Sequence, residues 1–377
     1  MDSIETKFRK KGLCGIQNLG NTCYMNSVLQ VLSNIPYLTK YFLENEYLEE
    51  RNVRSEHYSL MKAYKKVLEK IWENNSVVHS EIKQFKSILD KTLTSFSGHE
   101  QHDANEFMVQ FLDSLHESLK CEYEIIFSGE PKNERDRLQL AATKKFWEYY
   151  GKQYSKITDL FSGQNYSKVT TLKTEEVTEV FEPFYQISLP ITDKTHTLRD
   201  CFKEYAKPCE LKDDNKYYCG KSKKLVDAIK LDKFIKAPNV LIIVLKRFDM
   251  MGNKNSKFIR FPLDDLSIKK YFVGYEKNLA QYKCIGIVNH MGTLHYGHYT
   301  AYARNIDNEW YEYNDSDVST TVGAKEIISS KAYILVYLRK DLDEIKYDDI
   351  DTSIDSEAED KDEKEINEKA EDYISFG

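Results

Sequence analysis

The sequence predicts an α+β protein, and three observations carry that reading. Apolar residues recur at helical spacing through roughly the first 120 positions. From about residue 166 the pattern changes to short β-branched and aromatic runs with polar punctuation. One of these, Val240–Leu245, is apolar on both faces, as a central covered strand must be. A helical half followed by a strand-rich half makes segregated layers, and the cleft between them is where a site is expected.

Composition narrows the function classes. The chain has 377 residues, 41% hydrophobic and 13% aromatic, enough for a large core, and length alone suggests two or three domains. The net charge of −7 is concentrated in residues 341–377, which hold 16 Asp/Glu against 4 Lys. The remaining 50 Lys/Arg against 45 Asp/Glu make the rest mildly basic, too weakly to argue for nucleic acid. Residues 1–11 hold no apolar stretch of the kind a secretory signal needs, and no apolar run reaches membrane-spanning length. The seven cysteines are odd in number and scattered, so a reduced, intracellular setting is expected, cytoplasmic or nuclear.

In chain order, residues 12–35 come first. Gly12, Gly15 and Gly20, with Asn18 and Asn21, form a turn-rich loop. Met25, Val28, Leu29 and Leu32 then form an amphipathic helix stripe that stops before Pro36. Cys23 sits at the join, after Asn21 and Thr22, either of which can cap the helix. Free backbone N–H groups and the positive end of the dipole favour a thiolate there. Taken alone, such a cysteine is more often a small buried residue. A second site is required.

Residues 37–92 read as further helices; Leu60, Tyr64, Val67, Leu68 and Ile71 form one stripe. Ala104, Phe107, Met108, Phe111, Leu112, Leu115 and Leu119 form another. Asp103 with Glu106 resembles a capping box, so Gln101, His102 and Asp103 either merely start this helix or present Asp103 to a cationic ligand. Residues 121–165 read as a charged excursion with a helix around Phe146–Tyr150. Strands are expected at Val177–Val180, Phe184–Leu189, Tyr217–Cys219, Leu225–Ile229, Val240–Phe248, Tyr282–Asn289, Tyr299–Arg304, Trp310–Tyr313 and Tyr333–Leu338. Residues 341–377 are expected to be an acidic tail, disordered or loosely helical around 357–373, more often without specific function than a recruiter of a basic partner.

The second site lies in residues 289–318. Two strands flank the turn-forming residues Asn305–Asn308, and position 306 lies midway between His298 and Asn314. In a regular hairpin centred there the two face each other, Cβ atoms about 4.5–5.5 Å apart. That suits an imidazole and an orienting amide, with the other ring nitrogen facing a thiol. Asp315 offers a carboxylate next door, so spacing leaves the orienting residue open. Gly297 permits close approach of another backbone. His290 and His295 read as surface residues without chemistry; a zinc site with His298 lacks a fourth ligand and leaves Cys23 unexplained. His298 follows Cys23 by 275 residues, which disfavours a simple papain-type chain order.

At this point a family resemblance enters. GLCGIQNLGNTCYMNSVLQVL resembles the Cys box of the ubiquitin-specific protease family, and HYGHYTAYARNIDNEWYEYNDSDVS resembles its His box. QHDANEFMVQFLDSLHE, and VLIIVLKRFD followed by FPLDDL, are similar to its intervening segments, so the likeness spans about residues 12–339. It implies a papain-like superfold: a lead at 1–11, a catalytic domain at 12–340 with a helical thumb (about 12–120) and fingers and palm (about 160–340), then the tail. It implies Cys23 as nucleophile, His298 as general base, and Asn314 as third triad member with Asp315 beside it. Asn18 matches the oxyanion-hole side chain, paired with the Cys23 backbone N–H, and Asp103, Gln101 and Tyr299 fall where the ubiquitin tail is held. The implied activity is thiol-dependent hydrolysis after the C-terminal Gly of ubiquitin, with ubiquitin and ubiquitinated proteins as partners and no cofactor. Rival readings are a weakly active ubiquitin-binding pseudoenzyme and a protease for another ubiquitin-like modifier. Where the family often carries two Cys-x-x-Cys zinc pairs, this chain has Thr171, Thr174, Cys219 and Ser222, so no metal is expected.

Overall fold

The structure, a computed structural model, describes residues 11–73, 77–249, 251–293, 296–321 and 323–342. His295, nearly all of the expected lead and nearly all of the acidic tail lie outside the described residues.

The helix α1 (Cys23–Ser33) is the pivot, and it departs from the amphipathic expectation: all eleven residues are buried. Its polar residues are covered because they bind the preceding loop. Gln30 Nε2 donates to the Cys14 carbonyl at 2.7 Å, and Asn26 Nδ2 reaches the carbonyls of Ile16 and Gln17 at 3.3 Å. A buried amide left unpaired costs about 1–3 kcal/mol, so these contacts hold the loop in one place. Neither expected cap forms: Thr22 makes no side-chain cap, its Oγ1 instead accepting from Leu19 N–H at 2.9 Å.

Helices α2 (Pro36–Leu43), α3 (Tyr58–Glu73), α4 (Ser80–Thr92) and α5 (Ala104–Leu119) surround it. The predicted stripes of α3 and α5 are buried throughout. Between them runs an aromatic core in which Tyr24, Phe96, Phe107, Phe111, Phe85 and Tyr64 meet largely edge to face at 5.2–6.0 Å. The helix expected around Phe146–Tyr150 begins earlier, as α6 (Glu134–Tyr150). Only Ala142, Phe146 and Tyr150 are buried in it, which is why periodicity failed to mark its first half. A short α7 (Lys156–Phe161) follows, capped by Ser155.

The strands are β1 (Gly163–Thr171), β2 (Val177–Phe184), β3 (Gln186–Pro190), β4 (Cys209–Leu211), β5 (Tyr217–Cys219), β6 (Lys224–Val226) and β7 (Ala228–Lys236). Then come β8 (Val240–Lys246), β9 (Leu266–Ser267), β10 (Gln281–Gly292), β11 (Gly297–Arg304), β12 (Trp310–Asn314), β13 (Asp317–Thr320) and β14 (Ala332–Arg339). The long sheet runs β13-β12-β11-β10-β14-β8-β3, with β9 on β10; only β3–β8 is parallel. In β8, Val240, Ile242 and Val244 enter the core shared with the helices, while Leu241, Ile243 and Leu245 enter a second core behind the sheet. The run is apolar on both faces because it separates two cores.

A second sheet, β2-β1-β7-β4, stands apart with the hairpin β5–β6. The polar run of β1 escaped sequence reading, and the single strand expected at Leu225–Ile229 is two strands broken at Asp227. At its tip Thr171 and Thr174 share a 2.7 Å hydroxyl hydrogen bond, and the Cys219 thiol donates to Glu176 at 3.1 Å. Among the described residues no cluster of three His, Cys, Asp or Glu could hold a metal, and no helix is long and apolar enough to cross a membrane.

Candidate active site

The site forms where α1 meets β11. Close approach is built into glycines: a Cβ at Gly286 would collide with Val31 of α1, and one at Gly15 with the backbone of Ser316. Ile16 N–H donates to the Asp315 carbonyl at 2.8 Å, so the cysteine loop and the β12–β13 turn are bonded across almost the whole sequence.

Cys23 is 4% exposed at the N-terminus of α1. Burial pushes its thiol above the ordinary value, and the Asp315 carboxylate pushes the same way. Backbone hydrogen bonds from Tyr299, Tyr24 and Cys23 itself pull it back without prevailing. The expectation of a stabilised thiolate is therefore corrected: the helix N–H groups do act on the sulfur, but desolvation outweighs them.

His298 opens β11, next to the Tyr299 backbone that reaches the thiol. Its Nε2 lies 2.7 Å from Asn314 Oδ1. The pairing does not come from the expected register. β11 and β12 pair as Ala301↔Tyr313 through Arg304↔Trp310, centring the hairpin one residue later than assumed. Extended, that register sets Thr300, not His298, against Asn314. His298 reaches Asn314 diagonally along the same face, within range of a long ring.

The choice left open between Asn314 and Asp315 resolves into two jobs. Asp315 makes no contact with His298; its Oδ2 accepts from Asn18 Nδ2 at 2.9 Å and its Oδ1 from Asn26 Nδ2 at 2.7 Å. A left-handed backbone, φ +50°, in the two-residue turn between Asn314 and Asp317 aims the carboxylate back at the cysteine loop. Asn18 is oriented by its own loop: Oδ1 accepts from the N–H of Gly20 at 2.9 Å and of Thr22 at 3.2 Å, which settles which end is the amide nitrogen.

Asp103 starts its helix, as the first of the two readings has it, and uses both carboxylate oxygens. Its Oδ1 caps α5 through the N–H of Asn105 and Glu106, at 2.8 and 3.0 Å, but the box is one-sided because Glu106 bonds Gln110 instead. Its Oδ2 accepts from the hydroxyls of Tyr333 at 2.9 Å and Tyr299 at 3.4 Å, keeping the carboxylate at the cleft. Gln101 is a brace: Oε1 accepts from Gly297 N–H at 2.9 Å, and Nε2 reaches Asn21 at 3.5 Å. His290, read as a surface residue, is 1% exposed and packed among aromatic rings. It ends the run 284–290, which is buried on both faces of β10, one residue beyond the strand expected at Tyr282–Asn289. Sequence reading also missed Asn26 and Gln30; a polar face on a helix signals solvent, and nothing local says that it faces a loop.

A cysteine at the start of a buried helix, packed on a strand that carries an imidazole held by an amide, on an α+β scaffold, is the architecture of a papain-like thiol hydrolase. The comparisons with known proteins agree. A family model described as ubiquitin carboxyl-terminal hydrolase matches residues 14–337, and the chain belongs to that family. Ubiquitin carboxyl-terminal hydrolase 2 of Bos taurus is 35% identical over 351 residues, covering 89% of this chain and 56% of the relative. The Homo sapiens counterpart is 34% identical over 342 residues, covering 87% and 55%. The chain thus spans about half the length of these curated relatives. Among solved structures, the SAGA Ubp8/Sgf11/Sus1/Sgf73 module bound to ubiquitin aldehyde superposes with a TM-score of 0.70 at 28% identity, over 90% of this chain and 71% of that one.

Proposed function

We propose that this chain is a deubiquitinase that hydrolyses the bond after the C-terminal Gly of ubiquitin. The observation that carries the reading is the 2.7 Å contact between His298 and Asn314, on a strand whose backbone touches the Cys23 thiol. With Nε2–H donating to Asn314, Nδ1 is the nitrogen that takes the Cys23 proton. The resulting thiolate attacks the Gly carbonyl carbon. Asn18 keeps a second amide hydrogen beyond the one given to Asp315, and with the Cys23 backbone N–H it is the donor to the developing oxyanion. Such a donor is worth about 2.7–4 kcal/mol. The C–N bond then breaks as imidazolium protonates the leaving lysine amine. Water, deprotonated by His298, hydrolyses the thioester and restores the thiol.

Asp103 is proposed as the anion that receives the basic tail of ubiquitin, with the Tyr299 hydroxyl beside it and Gln101 holding the cleft wall. The β2-β1-β7-β4 sheet is taken as the fingers, and the leucine and tyrosine of β5–β6 as part of their grip. Ubiquitin bound by the related SAGA module supports ubiquitin as the partner. A reduced intracellular setting, cytoplasmic or nuclear, accords with seven unpaired cysteines.

One observation favours a second reading, low activity in isolation: the thiol is pushed up rather than down. The test is ubiquitin bearing a thiol-reactive C-terminal electrophile, with Cys23→Ala as control. An adduct on the wild type alone supports the enzyme; binding without adduct supports the weak reading, and no binding sinks both.

A further inference from the structure

Among the described residues, His290 is a buried histidine beside the site to which the reaction assigns no task. Its position is unusual in four respects. The pairing His290↔Tyr299 and Gly292↔Gly297 puts it on β10 beside the start of the catalytic strand. Its ring lies 4.6 Å from that of Tyr299 and 5.4 Å from that of Phe248, with Tyr333 at 6.4 Å. Its Nε2 fills the space where any Cβ on residue 297 would stand, so the ring is seated directly against the Gly297 backbone. Its backbone is tied twice, N–H to the Lys331 carbonyl at 2.9 Å and C=O to Lys254 Nζ at 2.8 Å.

Gly297 and Tyr299 are the residues on either side of His298. Gly297 is held from one direction by Gln101, at 2.9 Å, and from the other by the His290 ring. Tyr299 is held by ring contact with His290 and by Asp103. We propose that His290 is a positioning residue for His298, its buried ring wedged against Gly297 and Tyr299 so that the backbone on both sides of the base is fixed. The inference rests on the proposed thiol-protease reading.

The electrostatics agree. Burial pushes His290 down to about 4, helped by the ammonium of Lys254 and by His298, the charged groups that face it; its ring neighbours Tyr299 and Tyr333 are neutral phenols, both pushed up. The ring is therefore uncharged at neutral pH, and does not oppose an imidazolium forming at His298. Its Nδ1 is buried without a partner. A polar atom left in this way is a cost to stability, so a phenyl ring, planar and one atom larger, gives up no hydrogen bond at that position.

The test uses ubiquitin with a fluorogenic C-terminal amide and three forms of the full chain. His290→Ala opens a cavity under Gly297; kcat should fall about 30-fold with KM within about 3-fold, since the Asp103 carboxylate stays anchored by the N–H groups of its own helix. His290→Phe keeps the wedge; kcat should stay within about 3-fold, with the acid limb of the pH profile above about pH 5 unmoved. Should the Ala variant melt below the assay temperature, His290→Leu, similar in volume but not planar, is read in its place. An Ala or Leu variant with the kcat of wild type overturns the inference. So does a Phe variant as slow as Ala, or one whose acid limb shifts, because charge rather than shape would then be at work. A wild type that neither turns over this substrate nor labels with the ubiquitin electrophile overturns the functional reading, and the inference with it.

Discussion

The cleft and the tip of the four-stranded sheet are built on opposite terms. At the cleft, polar side chains from distant parts of the sequence interlock: Asn18, Asn26, Asp315, Gln101 and Asp103 each spend at least one hydrogen bond on another element. At the tip, apolar side chains face outward, with Leu225 64% and Tyr218 59% exposed; Thr171–Thr174 bonds within its turn and Cys219–Glu176 ties the hairpin to it. The first region carries its order within itself. The second presents an adaptable surface whose order depends on what covers it. Chemistry needs fixed donors, whereas a grip on a folded partner needs area and some give.

That contrast sets the order of expected effects. Cys23→Ala should lower turnover of a ubiquitin amide by at least about 10⁴-fold while leaving ubiquitin affinity in place, measured by calorimetry. Residual turnover near wild type would end the comparison, since the cleft would not be the site of reaction. Asp315→Ala frees both Asn18 and Asn26; kcat should drop about 10²–10³-fold, the range for a misplaced oxyanion donor, with KM little changed. If Asp315→Ala raised KM instead, Asp315 would belong to binding and not to the cleft's internal order.

Tyr218→Ala with Leu225→Ala should do the reverse at the tip, raising KM about 10-fold at constant kcat. The thiol gives a pH test. Because burial raises the Cys23 pKa, the thiolate fraction at neutral pH is small and grows as pH rises. Alkylation by iodoacetamide in the free protein should therefore still be accelerating at about pH 9, the ordinary thiol range. A plateau below about pH 7 would mean that the helix N-terminus prevails over burial. The smallest effect is expected from a chelator: with hydroxyls at Thr171 and Thr174, poor ligands for zinc, EDTA should move the melting temperature by less than about 1 °C.

Much of this was legible in the chain alone, for identifiable reasons. Helix stripes such as Leu60–Ile71 and the doubly apolar Val240–Leu245 state their burial in residue type, because periodicity records which face leaves water. Cys23, His298 and Asn314 could be picked out because a thiol at a helix start and an imidazole at a strand end are chemically unusual in those contexts. Weak signals failed where the chain is polar for tertiary reasons, as in β1, in the first half of α6 and on the inner face of α1.

The sequence by itself determined the fold class and left one thiol, Cys219, beside hydroxyls at the tip, since each depends on side-chain chemistry and local spacing. Only the tertiary structure decided that Asn314 meets His298 while Asp315 turns away to Asn18 and Asn26. It also decided that burial overrides the helix dipole at Cys23, and that His290 sits under Gly297. The physical reason is the same in each case. Neighbouring residues in a turn point in different directions, and desolvation depends on what packs from elsewhere in the chain, so neither is written in local spacing.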